Sequence, residues 1–232
     1  MLTIPERLAS LDRAHAAGAI IRNGWEEGAE RACLLSWYSP EARDAHDASA
    51  CPADAMPPWL AHLTVWLDDA PSDTAWPGLI ARYVRVLHRL HEIAPDRLAR
   101  LDYACRAIAV RESRSHTNRP SVLAAIDGVL ALLDRAAAGG EVQGMKWKEA
   151  EAEAEAEAAA CGVARAATEA EVAAARAAAW AATEAEVAAA RAAARAATEA
   201  AEEPSWWAAR TAAADRMADA MLAAIEHVVS TC

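Results

Sequence analysis

Arg111, Arg114, His116 and Arg119 fall within one short stretch, RESRSHTNR, that ends against Pro120. Guanidinium groups offer forked N–H donors that match phosphate and carboxylate oxygens. In a chain of net charge −11, such a cluster could bind a small anion. The plainer alternative is that these cations complement a helix C-terminus and pair with acidic side chains of the same chain. A second candidate is Arg22 with Trp25, in AIIRNGWEEG, beside Glu26 and Glu27. An indole and a guanidinium can hold a planar ligand between them. Irregular segments also carry function more often than helix faces do. Arg22, Trp25, Arg111, Arg114, His116 and Arg119 are therefore the candidate ligand-binding residues.

Other chemistry has weaker support in the spacing. His88 and His91 lie three apart, with Glu92 adjacent and His62 upstream, but a metal would need further ligands and no HExxH is present. No metal and no cofactor is expected. Asp68, Asp69 and Asp73 could form a general acid–base pair, although helix stop and start signals account for them. Cys33, Cys51, Cys105, Cys161 and Cys232 are far apart and show no CxxC. They read as free thiols of a reducing cytoplasm, not as a disulfide frame or zinc site. No P-loop, dinucleotide fingerprint or nucleophile elbow occurs.

The elements that must position these residues read as helices. Thr3 and Glu6 form a capping box ahead of a helix that stops at Gly18. Residues 19–28 are the least helical, and Asn23-Gly24 is a turn signal for a small hairpin or an ordered loop. Short helices follow from Ala29 to Trp37 and from Pro40. The prolines of ASACPADAMPP at 48–58 read as a linker. Further helices are expected over Trp59–Asp69, Ser72–His91, Pro95–Ser115 and Ser121–Ala138, each with apolar residues three and four apart. Gly139, Gly140 and Gly144 then form a hinge. A last helix runs from Pro204-Ser205 to about Ser230.

Between the hinge and that helix lies an Ala-rich arm. A fifteen-residue unit, AATEAEVAAARAAAW, begins at Ala166 and recurs from Ala181 with only Trp180 exchanged for Arg195. More than half of residues 150–201 are Ala, the strongest helix former. Four turns per repeat is about 3.75 residues per turn, which drifts in the right-handed supercoil sense. Larger side chains form a charged stripe including Arg176, Trp180 and Glu184, opposite a smooth Ala face. One helix over Val163–Glu203 would run about 60 Å. The competing pattern is a stack of short helices started by the capping boxes at Thr168 and Thr183.

The expected fold is all-α. It has a mixed helical domain over 1–144 with an irregular or hairpin segment at 19–28, an Ala-rich arm over 145–203 and a C-terminal helix over 204–232. The acidic balance argues against general nucleic-acid binding. The N-terminus shows no signal-peptide pattern, and no uncharged apolar run suits a membrane span.

The stretches ACLLS at 32–36, ASACPADAMPPWLAHLTVWLDDAPSD at 48–73 and RLDYACRAIAVRESRSHT at 100–117 resemble a group of uncharacterised Ala-rich helical proteins of phages, prophages and GC-rich bacteria. So does the ADRMADAMLAAIE helix at 214–226. That resemblance implies a phage or prophage setting and no catalytic residues. Arg119-Pro120, an aliphatic helix, Gly-Gly and Ala-rich helices are more loosely similar to bacterial immunity proteins. The function expected is a non-enzymatic binding protein, an accessory factor in host interaction or counter-defence. Its arm would dock a protein partner or a second copy. The alternative is a protein that sequesters or processes a small anionic, nucleotide-like ligand.

Overall fold

The computed structural model describes residues 2–28, 30–115, 117–118, 120–150, 152 and 206–231. The Ala-rich repeat with Trp180, and the candidates His116 and Arg119, lie outside them. The described chain is all-α apart from one minimal hairpin, and no described helix is long and apolar enough to cross a membrane. It divides into two compact units, Met1–Ile93 with Ile225–Cys232, and Ala94–Ala224.

In the first unit, helix α1 (Ile4–Ala16) buries Leu8, Leu11 and Ala14 at helical spacing. Glu6 accepts from the Thr3 N–H at 2.7 Å and from its hydroxyl at 2.8 Å, which realises the expected start. These bonds hold the Glu6 carboxyl below its usual range. Gly18 takes φ +63° just beyond the helix, the left-handed conformation that ends helices at low cost. Helix α2 (Leu34–Tyr38) touches α1, α3 (Pro40–Ala45) and α4 (Pro58–Asp69), and α4 contacts α5 (Trp76–Leu87). Helix α5 is shorter than the expected Ser72–His91. Its entry turn is fixed by the Ser72 hydroxyl accepting from the Ala75 N–H at 3.1 Å. Its end gives way to a 3-10 turn at Leu90–Glu92.

Residues 48–58 are not a linker. A 3-10 turn at Ala48–Ala50 is capped by Asp47, whose carboxylate accepts from the Ser49 N–H at 2.8 Å. Met56 is completely buried, and the buried Tyr38 donates its hydroxyl to the Ala55 carbonyl at 2.9 Å. The prolines shape a packed turn because Met56 and the Ala55 hydrogen bond tie its later part to the core, and the buried Ala48 and Cys51 tie its start.

One ionic contact of this unit reaches into its interior. The Arg7 side chain is 1% exposed and donates to both Glu41 carboxylate oxygens, at 2.8 and 2.7 Å. It also donates to the carbonyls of Tyr38 and Leu2, both at 3.2 Å. This fork joins α1 to the α2–α3 corner. Arg7 beside it holds the Glu41 carboxyl down to about 2. On α5, Arg82 forks onto Glu226 of the C-terminal helix at 3.0 and 2.7 Å.

In the second unit, α6 (Pro95–Arg114) and α7 (Pro120–Ala137) lie along one another. Val122, Ile126, Val129 and Leu133 of α7 and Leu101, Cys105 and Val110 of α6 are buried. Arg106 is 5% exposed, forks onto Asp102 and lies 5.2 Å over the Tyr103 ring. Tyr103 in turn stacks on Trp147, in the helical segment 144–150, with centroids 6.4 Å apart. Helix α8 (Trp206–Ser230) buries Met217, Met221 and Leu222 in this unit, and Ile225 and Val229 belong to the first.

Replacing Arg7 by Ala leaves the Glu41 carboxylate and two carbonyls without their donor. Glu41 is one-third exposed, so the loss is that of part-buried acceptors left without a donor, about 1–3 kcal/mol. Urea denaturation should show a loss of that order for Arg7→Ala. A loss below about 1 kcal/mol, the ordinary worth of an exposed pair, would contradict this account.

Candidate functional site

The irregular segment between α1 and α2 is held by a buried carboxylate. Asp68, in the last turn of α4, is 1% exposed. One of its oxygens accepts from the Leu34 N–H at 3.1 Å, at the start of α2. The other accepts from the Trp76 indole N–H at 2.9 Å, at the start of α5. Burial pushes the Asp68 carboxyl up to about 7, against the two donors and Arg22, which favour its ionised form. Asp69 next to it is also raised by burial and accepts from the Asn23 N–H at 2.8 Å.

Arg22 reaches the same helix end. It donates to the carbonyls of Asp68 at 3.1 Å and Asp69 at 3.0 Å, and also to Pro71 O and to the Asp73 carboxylate. The last carbonyls of a helix lack intrahelical partners and carry partial negative charge. Arg22 supplies the missing donors. Trp25 stacks on His46, with centroids 6.1 Å apart and planes at 13°. Its carbonyl accepts from the Ser36 hydroxyl at 2.9 Å and the Cys33 N–H at 3.1 Å. The guanidinium and the indole are thus each engaged within the protein.

These ties also move the hairpin. Asn23 does take a left-handed turn, at φ +58°, but its N–H is held by Asp69. Strand pairing therefore falls further along, between β1 (Glu26–Glu27) and β2 (Arg31–Ala32), with Glu26 opposite Ala32 and Glu27 opposite Arg31. The expected helix from Ala29 starts only at Leu34, because Arg31 and Ala32 are taken by the strand. Cys33 caps it, its sulfur accepting from the Ser36 N–H at 3.4 Å.

Two clefts flank the segment. One, of 480 Å³, is lined by Arg22, Asn23, Gly24, Glu27 and Trp76 among others. The second, of 580 Å³, is bordered by Arg13, Gly18, Glu30, Arg31 and Trp37. Sequence reasoning passed over Arg13, Arg31 and Trp37. Arg13 has the look of a dipole-complementing cation in a last turn, and Trp37 that of a core aromatic. Only the turn at Gly18 brings them to one cleft.

Arg111 and Arg114 belong to the second unit, at the end of α6. Arg111 pairs with Asp134, and Arg114 forks onto Asp127 at 2.7 and 3.3 Å, both on α7. Arg216 pairs with Glu112 between them. The intramolecular pairing considered for this stretch is realised with α7 and α8. The Arg114–Asp127 fork draws the carboxyl down and holds the guanidinium up. His88 donates its ring N–H to the Asp12 carboxylate at 2.8 Å, and no group of three His, Cys, Asp or Glu suited to a metal occurs among the described residues. Burial raises the Cys33, Cys51 and Cys105 thiols, which disfavours the nucleophilic thiolate.

Asp68 gives a measurable pH dependence. Its carboxyl is raised in the folded protein, whereas in the unfolded chain it ionises in the ordinary range near 3.8. Its linkage contribution is therefore fully present at low pH and is lost as pH rises towards 7. Between pH 5 and pH 8 this amounts to roughly 2–3 kcal/mol, at 1.36 kcal/mol per unit. Thermal melts of wild type and Asp68→Asn across that range should diverge in pH slope, the variant being flatter by that amount. Parallel slopes would sink the assignment. No family model, no curated protein and no solved structure matches this chain.

Proposed function

We propose that the chain is a non-enzymatic helical binding protein that recognises a protein partner through the 19–33 segment. The observation that supports this is the anchoring of an irregular, polar segment by the buried Asp68 and by Arg22. Ordering a loop on association costs free energy, so a loop already fixed by the scaffold binds with less penalty. Glu27, Glu30 and Arg31 stand exposed on this segment, so the fixed backbone presents charged groups of both signs. The engagement of Arg22, Arg111 and Arg114 by internal partners fits a surface for recognition better than an anion site built from those three. A phage or prophage accessory role, in host interaction or counter-defence, belongs to the same proposal and comes from the resemblance described above. The Ala-rich arm remains a candidate for self-association and lies outside the described residues.

Native mass spectrometry of the full chain purified from a bacterial lysate tests the proposal. Gly24 lines the first cleft, and a Cβ there would meet nothing within 4 Å. Gly24→Trp should therefore leave the melting temperature unchanged while blocking the segment. The wild type should retain a partner at defined stoichiometry, and the variant should lose it by about tenfold or more, or 1.4 kcal/mol. Equal retention by both proteins, or no retained partner at all, would overturn the proposal.

A further inference from the structure

The geometry points to a small-molecule site in the 580 Å³ cleft at the end of α1, built by Arg13, Arg31 and Trp37 for a flat ring carrying one carboxylate or phosphate. This ligand class rests on the reading of the chain as a binding protein. The cleft has the size of ordinary small-ligand pockets, which run to about 300–1,000 Å³. Its α1 side is made of small residues, Ala14, Ala17 and Gly18. The φ of Gly18 is positive, and a Cβ there would meet nothing within 4 Å, so the space beside it is open.

Trp37 supplies the ring surface. Its indole N–H is already donated to the Ala19 carbonyl at 3.3 Å, which fixes the ring and leaves it apolar and π contacts to offer. Arg43 lies 6.0 Å from the ring centroid and is itself held by Glu26 at 2.7 Å. An aromatic ring or a nucleobase stacks or packs edge-on against such an indole.

Arg13 supplies the charge. The chain has 34 acidic residues against 23 Lys and Arg. Even so, the Arg13 guanidinium is exposed and makes no hydrogen bond or ion pair among the described residues. Arg31 bonds Glu27 through a single terminal nitrogen at 2.5 Å and is half-exposed. Its other donors are open to a second acceptor. A carboxylate or phosphate oxygen pair matches a guanidinium edge bidentately. Glu30, also on the rim and likewise without a partner among the described residues, sets the upper limit. With Glu27 already on Arg31, two cations face two carboxylates, which suits a ligand with a single anionic group and repels a polyanion.

The test is titration of the ¹⁵N-labelled full chain with benzoate and, separately, with adenosine monophosphate. The indole N–H signal of Trp37 is identified by its loss in Trp37→Phe. At least one probe should shift that signal saturably with a Kd of about 1 mM or tighter. Arg13→Ala should weaken that binding about tenfold, as expected for loss of a charge-assisted pair, while the exposed position leaves the melting temperature unchanged. Inorganic phosphate should bind more weakly than the probe that shifts the signal, since it lacks the ring. Benzoate or the nucleotide giving the larger effect distinguishes a carboxylate ligand from a phosphate one. No saturable shift from either probe, equal binding by Arg13→Ala, or phosphate matching both probes would overturn the site. Partner capture by the wild type with no probe binding would remove this site alone. Probe binding without partner capture would remove the partner reading alone.

Discussion

A carboxylate removed from water must gather hydrogen-bond donors or give up its charge. Asp68 stands near the balance of those two outcomes, with a backbone N–H on one oxygen and an indole N–H on the other. Its position follows from the chain around it. The donors come from the first residues of α2 and α5, and the acceptor comes from the last turn of α4. Three helix ends therefore converge on one side chain. Arg22 binds the carbonyls of that same last turn, so the segment after α1 is fixed from its own side as well. The two clefts, the displaced hairpin and the late start of α2 all depend on this meeting point.

Helix placement was legible in the sequence because it depends on local features. The Thr3–Glu6 box, the Gly18 stop and the apolar spacing of α6 and α7 act within a few residues. What was not legible depends on partners distant in sequence. The Asn23-Gly24 turn signal is real, yet Asp69 captures its N–H and the strands form elsewhere. The prolines of 48–58 suggest a linker, whereas Met56 and the Tyr38–Ala55 hydrogen bond draw that stretch into the core. The candidate site shows the same division. That residues 19–28 would be irregular could be read from their composition. That Arg22 would reach the end of α4, and that Arg13 and Trp37 would border one cleft, required the fold.

The acidic excess of the chain acquires a structural meaning from its arginines. Within the first unit, Arg7, Arg22, Arg43 and Arg82 each bind a carboxylate. Within the second, Arg106, Arg111, Arg114 and Arg216 do the same. The fork of the buried Arg7 onto Glu41 fixes a corner. The half-exposed pairs of α6 and α7 contribute little each and mainly set which faces meet. Each pair neutralises one carboxylate along with one guanidinium, so the pairing leaves the acidic excess of the chain unchanged.

The thiols have a consequence of another kind. Cys33, Cys51 and Cys105 are free and buried, and each sits in a different setting: the cap of α2, the proline-rich turn and the middle of α6. A buried thiol reacts with an alkylating reagent only when its surroundings open. The three sulfurs therefore act as separate internal clocks for breathing motions of the fold. The order in which they are trapped would rank the stability of the anchored segment against that of the helices beneath it.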